Sequence, residues 1–136
     1  MAQNSLWAHE TVLAAEAVSV ARAREFVRRH LLVHDQPDLV EDVRLVVSEL
    51  ATNAMLHART PFTVTLQGTD DSVLLSVRDA SATVPVQVTA DVLDTSGRGL
   101  SIVDLVSRDW GVMAGGTGAK SVWAVFDART REPTPW

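Results

Sequence analysis

An acid, an amide and an imidazole follow one another at four-residue intervals in the stretch SELATNAMLHA, as Glu49, Asn53 and His57. Side chains four residues apart lie over one another on one helix face. The helical wheel puts Glu49 and Asn53 at the half-buried rim of an apolar arc, where a carboxylate and an amide can face a cleft. The simpler interpretation is that both are solvated helix residues. The arc consists of Leu39, Val43, Val46, Val47, Leu50 and Ala54.

Two further stretches carry groups suited to ligand binding. Asp79 ends the apolar run VLLSV, where a strand meets a loop, and its carboxylate can accept hydrogen bonds from an exocyclic amine. The stretch SGRGL, residues 96–100, places Gly97 and Gly99 around Arg98 just before a helix. Backbone N–H groups of such a loop can turn toward an anion at the helix N-terminus. Each feature taken singly is also typical of an ordinary turn.

The stretch GGTGAKS, residues 115–121, is similar to a phosphate-binding P-loop only in composition. The P-loop pattern ends in Gly-Lys-Ser/Thr and opens a helix. Here Ala119 precedes Lys120, and the strand-like run SVWAVF follows. We therefore interpret the stretch as the connection of a hairpin.

Composition restricts the class of protein. The chain has 136 residues, of which 46% are hydrophobic and 21% charged, and this predicts a single globular domain over residues 1–136. A net charge of -5, with scattered arginines, argues against nucleic acid as the main ligand. The absence of cysteine excludes disulfides, thiolate metal sites and cysteine nucleophiles. No signal peptide or bilayer-spanning run is recognisable, so we expect a soluble cytoplasmic protein.

The periodicity of apolar residues predicts the elements that position these groups. Pro37 and the acidic residues after it favour the start of the long helix that carries Glu49. Residues 80–99 show no steady period, and so long a loop in a compact domain is usually functional or mobile. The tail, residues 128–136, lacks the apolar content to pack and is expected to fray. In chain order we predict an edge strand near Leu6–Leu13, helices at 14–32 and about 38–57, a hairpin of strands at 61–67 and 72–79, a helix at 100–108, and strands at 110–114 and 121–126.

The order of these features resembles the Bergerat-fold (GHKL) ATPases. A helix with Glu-x-x-x-Asn, a hairpin that ends in Asp, a long loop that closes with Gly-x-Gly-Leu on a new helix, and a final strand pair follow one another between about Ala14 and Asp127. Within that superfamily, the compact length and SELATNAMLHA look most like the bacterial anti-sigma factor/serine-protein kinase family. The resemblance implies an α+β fold, a two-layer α/β sandwich with a mixed, mostly antiparallel sheet and helices on one face.

The resemblance also implies a role for each matching residue. Glu49 matches the catalytic acid that orients and deprotonates the attacking hydroxyl, and Asn53 matches the Mg²⁺-binding amide beside it. Asp79 matches the adenine-binding aspartate of an ATP site. Ser121 lies where the family tends to have a hydroxyl near the adenine. In the family, a lid covers the phosphates of the nucleotide. The residues that match this lid and the helix turn after it are Gly97, Arg98, Gly99 and Leu100.

The sequence departs from the family pattern at one position of the adenine site. The family's Asp-x-Gly is Asp79-Ala-Ser81 here, and serine adds a Cβ that restricts positive φ. Two functions therefore stay open, an ATP/Mg²⁺-dependent kinase and a regulatory protein-binding module with weak or no nucleotide binding. The resemblance implies a sigma factor and an STAS-type anti-anti-sigma protein as partners, and a homodimer. For His57 we prefer a structural role near the end of the helix.

Overall fold

The computed structural model describes residues 5–57, 59–79, 97–114 and 119–128. Each predicted element lies in these ranges, within a few residues of its predicted bounds. The elements are β1 (Trp7–Leu13), α1 (Ala17–Val33), a 3-10 turn (Pro37–Leu39), α2 (Val40–His57), β2 (Phe62–Gly68), β3 (Ser72–Asp79), α3 (Gly97–Val106), β4 (Asp109–Ala114) and β5 (Lys120–Asp127). Most of the predicted loop at 80–99, and most of the predicted tail, lie outside the described residues.

The five strands form one sheet in the order β1-β2-β3-β5-β4, and all of its described neighbours pair antiparallel. β1 lies at an edge of this sheet, as its sequence predicts. Buried and partly exposed residues alternate along β2, because successive side chains of a strand point to opposite faces. α1 packs on β1 and β2, and α2 packs on β2, β3 and β5. The structure confirms the α+β fold of two layers.

The apolar arc of α2 holds this helix against the sheet. All six residues of the arc, five in α2 and Leu39 in the 3-10 turn before it, are buried in one core, together with Phe62, Leu75 and Phe126 from the sheet. Full burial of a valine or leucine side chain contributes about 1.5–3 kcal/mol, so the arc fixes the rotation of α2. That rotation decides which polar side chains of the helix reach the sheet.

The start of α2 follows from a few local signals. Pro37 opens the 3-10 turn, where its missing N–H removes no helical hydrogen bond. Glu41 and Asp42 lie in the first turn of the helix, where negative charge is favoured by the helix dipole. The helix ends at His57, as predicted; the side chain of this residue lies outside the described part.

Three histidines and a tryptophan tie the edge strand to the C-terminal part of α1. His9 Nε2 and His34 Nε2 are 2.9 Å apart, so one ring nitrogen donates a hydrogen bond to the other. Trp7 stacks on His34 with ring centroids 4.0 Å apart, and His9 stacks on His30 at 3.8 Å. Burial, followed by the electrostatic effect of His9, lowers the pKa of both His30 and His34.

The histidine cluster predicts a loss of stability in acid. Because the pKa values of His30 and His34 are lower in the folded protein, the unfolded chain takes up protons first as the pH falls below about 6.5. The free energy of unfolding should therefore decrease from neutral pH toward pH ~5. Urea unfolding at several pH values measures this slope, which should be flatter for His34→Phe. An equal slope in the variant would show that His34 does not contribute.

No helix in the described ranges is long and apolar enough to cross a membrane.

Candidate nucleotide site

One end of the sheet brings together residues that are far apart in sequence. Phe62 at the start of β2 pairs with Asp79 at the end of β3, and Asp79 pairs with Lys120 at the start of β5. α2 ends at His57, a few residues before β2 begins, so its C-terminal part lies toward the same end. The sheet end formed by Asp79 and Lys120 therefore lies near the helix turns that carry the acid and the amide.

The N-terminus of α3 is directed toward this sheet end as well. α3 packs on β4 and connects to it through two residues, so helix and strand run in opposite directions. β4 finishes at Ala114, which pairs with Lys120. α3 also packs on α2. Gly97, where α3 begins, is thus placed by the topology at the end of the sheet where Asp79 lies.

Glu49 and Asn53 stand one helix turn apart on α2, but they differ in burial. Glu49 is half-buried, as the rim position predicts. Asn53 is only 7% exposed, which is less than a rim position implies. Because α2 packs on α1, α3 and the sheet, neighbouring elements cover this part of its surface. The structure therefore excludes the simpler interpretation for Asn53, which is not a solvated helix residue.

Asp79 is buried beside a cation. It is 2% exposed, and its Oδ2 lies 3.6 Å from Nζ of Lys120, which is 5% exposed. The two residues pair directly across β3 and β5, so their side chains leave the sheet on the same, helix-covered face. A turn-initiating aspartate would be expected at the surface, whereas this one is buried beside an ammonium group.

Lys120 is the residue that the sequence reasoning missed. It belongs to a stretch that we interpreted only as a hairpin connection. The signal that identifies it is its position two residues before Val122, because alternate residues of a strand face the same side of the sheet. Val122 is buried and faces the helices, so Lys120 must face them too. Ser121 is instead half-buried and pairs with Arg78 and Met113. The structure does not bring Ser121 together with Asp79, because the two side chains lie on opposite faces of the sheet.

The remaining candidates are described only in part. The backbone of Gly97, Arg98, Gly99 and Leu100 forms the first turn of α3, and nothing is described of their side chains. The lid assignment for this turn remains a prediction. Ser81 lies outside the described residues.

The arrangement fits the parts of a nucleotide site. A buried carboxylate with an adjacent ammonium can bind the polar edge of a base, since one accepts and the other donates hydrogen bonds. The carboxylate of Glu49 suits proton transfer, and the amide oxygen of Asn53 is a ligand type that Mg²⁺ accepts. In the described ranges, no group of three or more histidine or carboxylate side chains could hold a metal ion.

Comparison with known proteins identifies the domain. A search of curated proteins gives no match. The family model of the histidine kinase-like ATPase domain matches residues 13–125. This range includes Glu49, Asn53, Asp79 and most of the sheet. Because the match covers far more than half of the chain and agrees with the fold, the chain belongs to the histidine kinase-like ATPase domain family.

Proposed function

We propose that this protein is an ATP/Mg²⁺-dependent anti-sigma regulatory factor that phosphorylates a serine of an STAS-type anti-anti-sigma partner. The observation that carries the proposal is the placement of Glu49 and Asn53 one turn apart on α2, toward the sheet end that holds Asp79. The match to the ATPase family and the resemblance of SELATNAMLHA to the anti-sigma kinases support it.

Each residue has a role in the proposed reaction. Asp79 accepts a hydrogen bond from the amine of adenine and so orients the nucleotide. Glu49 accepts the proton of the attacking serine hydroxyl. Asn53 would hold Mg²⁺, which neutralises charge on the phosphates when it is bound. Transfer of a phosphoryl group depends mostly on positioning and on charge neutralisation, so this small set of residues is chemically sufficient.

A regulatory binding module without catalysis is the second candidate. Ser81 in place of the family's glycine favours it, because a Cβ there restricts the approach of the backbone to the base. In both candidates the partner is a protein, and a homodimer is part of the proposal.

Phosphotransfer separates the two candidates. The purified protein is incubated with ATP, Mg²⁺ and STAS-domain proteins from the same genome, and mass spectrometry measures phosphoserine. The kinase proposal predicts modification of one serine in one of these proteins. Stable complex formation without any phosphoserine would instead support the binding module.

We expect Asp79→Asn to weaken ATP binding by about tenfold or more, because an amide can turn a donor toward the adenine amine and a hydrogen bond to a charged group is lost. Asp127→Asn is the matched control. Asp127 is also an ion-paired aspartate, with its Oδ1 2.8 Å from Nη1 of Arg108. It lies at the other end of the sheet, opposite the first residue of β3. Calorimetric titration with ATP measures both variants. Equal affinities for the two variants would contradict the assignment of Asp79.

A further inference from the structure

The ion pair of Lys120 and Asp79 is too buried to be explained by stability alone. Nζ and Oδ2 are 3.6 Å apart, and both residues are more than nine-tenths buried. Removal of two charges from water opposes most of the attraction between them, so apolar residues of similar volume often stabilise a fold equally well. The pair lies at the sheet end that forms the candidate site, so a role in ligand binding is the alternative explanation.

The pair combines complementary hydrogen-bonding groups on neighbouring strands. A carboxylate only accepts hydrogen bonds, whereas an ammonium has three N–H donors and no acceptor. Direct cross-strand pairing of Asp79 with Lys120 holds the two groups side by side on the helix-covered face. Two ions with several donor and acceptor positions can contact each other and a third group at once.

Adenine presents the complementary pair along one edge. Its N6 amine donates a hydrogen bond, and the adjacent N1 accepts one. A carboxylate alone distinguishes only the amine, whereas a carboxylate and an ammonium together bind both positions. Guanine presents O6 and N1–H at the same two places, so its acceptor would face the carboxylate and its donor the ammonium.

We infer that Lys120 donates a hydrogen bond to N1 of adenine while Asp79 accepts one from the N6 amine. This inference rests on the proposed function, because it assumes that ATP binds at Asp79. It assigns to Lys120 a part in the choice of base that neither the resemblance nor the family match assigns. Lys120 thus contributes to specificity as well as to the neutralisation of Asp79.

The test uses an ATP analogue that lacks only the acceptor in question. In 1-deaza-ATP a C–H group replaces N1, while the N6 amine and the phosphates are unchanged. The wild-type protein should bind 1-deaza-ATP about tenfold more weakly than ATP, as expected for loss of a hydrogen bond to a charged group. Lys120→Met should bind the two nucleotides equally. Lys120→Gln, which keeps a neutral donor, should retain part of the difference.

The matched control is Arg78→Met. Arg78 is the residue before Asp79, but it is exposed and pairs with Ser121 on the other face of the sheet. This variant should keep the wild-type ratio of the two affinities. Thermal melts establish that each variant folds, and if Lys120→Met does not fold, the wild-type ratio and Lys120→Gln decide the question.

Each contrary outcome has its own meaning. Equal binding of ATP and 1-deaza-ATP by the wild type would overturn the contact with N1. A Lys120→Met protein that keeps the full ratio would overturn the role of Lys120, as would one that binds ATP more tightly, because Lys120 would then compete with adenine for Asp79. A wild-type protein that binds no ATP at all would overturn the proposed function itself, and the inference with it.

Discussion

Replacement of Glu49 by alanine is expected to abolish phosphorylation of the partner's serine while the affinity for ATP stays nearly unchanged. Glu49 is the half-buried carboxylate one turn before Asn53, and general base catalysis contributes about 100-fold to 10,000-fold to a rate. The loss of rate should fall on the chemical step, because no contact with adenine or with Mg²⁺ is assigned to the Glu49 side chain. Mass spectrometry measures phosphoserine, and calorimetry measures ATP binding.

The matched control for this prediction is Glu41→Ala on the same helix. Glu41 is exposed and lies in the first turn of α2, more than two helix turns before Glu49. Its Oε2 is 3.6 Å from Nη1 of Arg44. Its removal should leave the rate within a factor of about two, since exposed ion pairs contribute little. A Glu49→Ala protein that phosphorylates at the wild-type rate would contradict the mechanism and leave Glu49 as an ordinary helix residue.

Asn53→Ala is expected to impair nucleotide binding and phosphotransfer together. Mg²⁺ usually keeps few protein ligands, so if Asn53 holds the ion, loss of its amide oxygen would remove a large share of what anchors the metal beside the phosphates. The affinity for ATP should fall by about tenfold or more in the presence of Mg²⁺ and change little when EDTA removes the metal. The dependence of the change on Mg²⁺ distinguishes a metal ligand from a residue that only packs.

Because Asn53 is 7% exposed, its truncation also affects folding, and a control for packing is needed. Thr52→Ala changes the neighbouring, half-buried residue of the same helix turn, whose side chain points about 100° away. Thermal melts of both variants show how much stability each change removes. An Asn53→Ala protein that loses ATP affinity equally with and without Mg²⁺ would contradict the metal assignment.

The sequence was sufficient for the elements and for the rotation of α2. The apolar arc from Leu39 to Ala54 has the helical period, and burial of that arc fixes the rotation that leaves Glu49 half-buried at its rim. The alternating run before Asp79 likewise predicts a strand that ends in an acid. Local periodicity is strong information here because one face of each element is buried.

The sequence was insufficient where a contact depends on the register between strands. That Asp79 meets Lys120 rather than Ser121 follows from the pairing of β3 with β5, and a shift of one residue would exchange the two side chains between faces. The burial of Asn53 depends on the elements that pack around α2, which its own helical wheel does not contain. The contact of His9 with His34 joins residues 25 positions apart.

Titration of the wild-type protein with ATP, with and without Mg²⁺, tests the central claim most directly. Isothermal calorimetry should give saturable binding of one ATP per chain. The affinity should be higher with Mg²⁺, because Asn53 would hold the metal and the metal would neutralise charge on the phosphates. Absence of any binding heat up to millimolar ATP would contradict the account, and the protein would then be better explained as a binding module that needs no nucleotide.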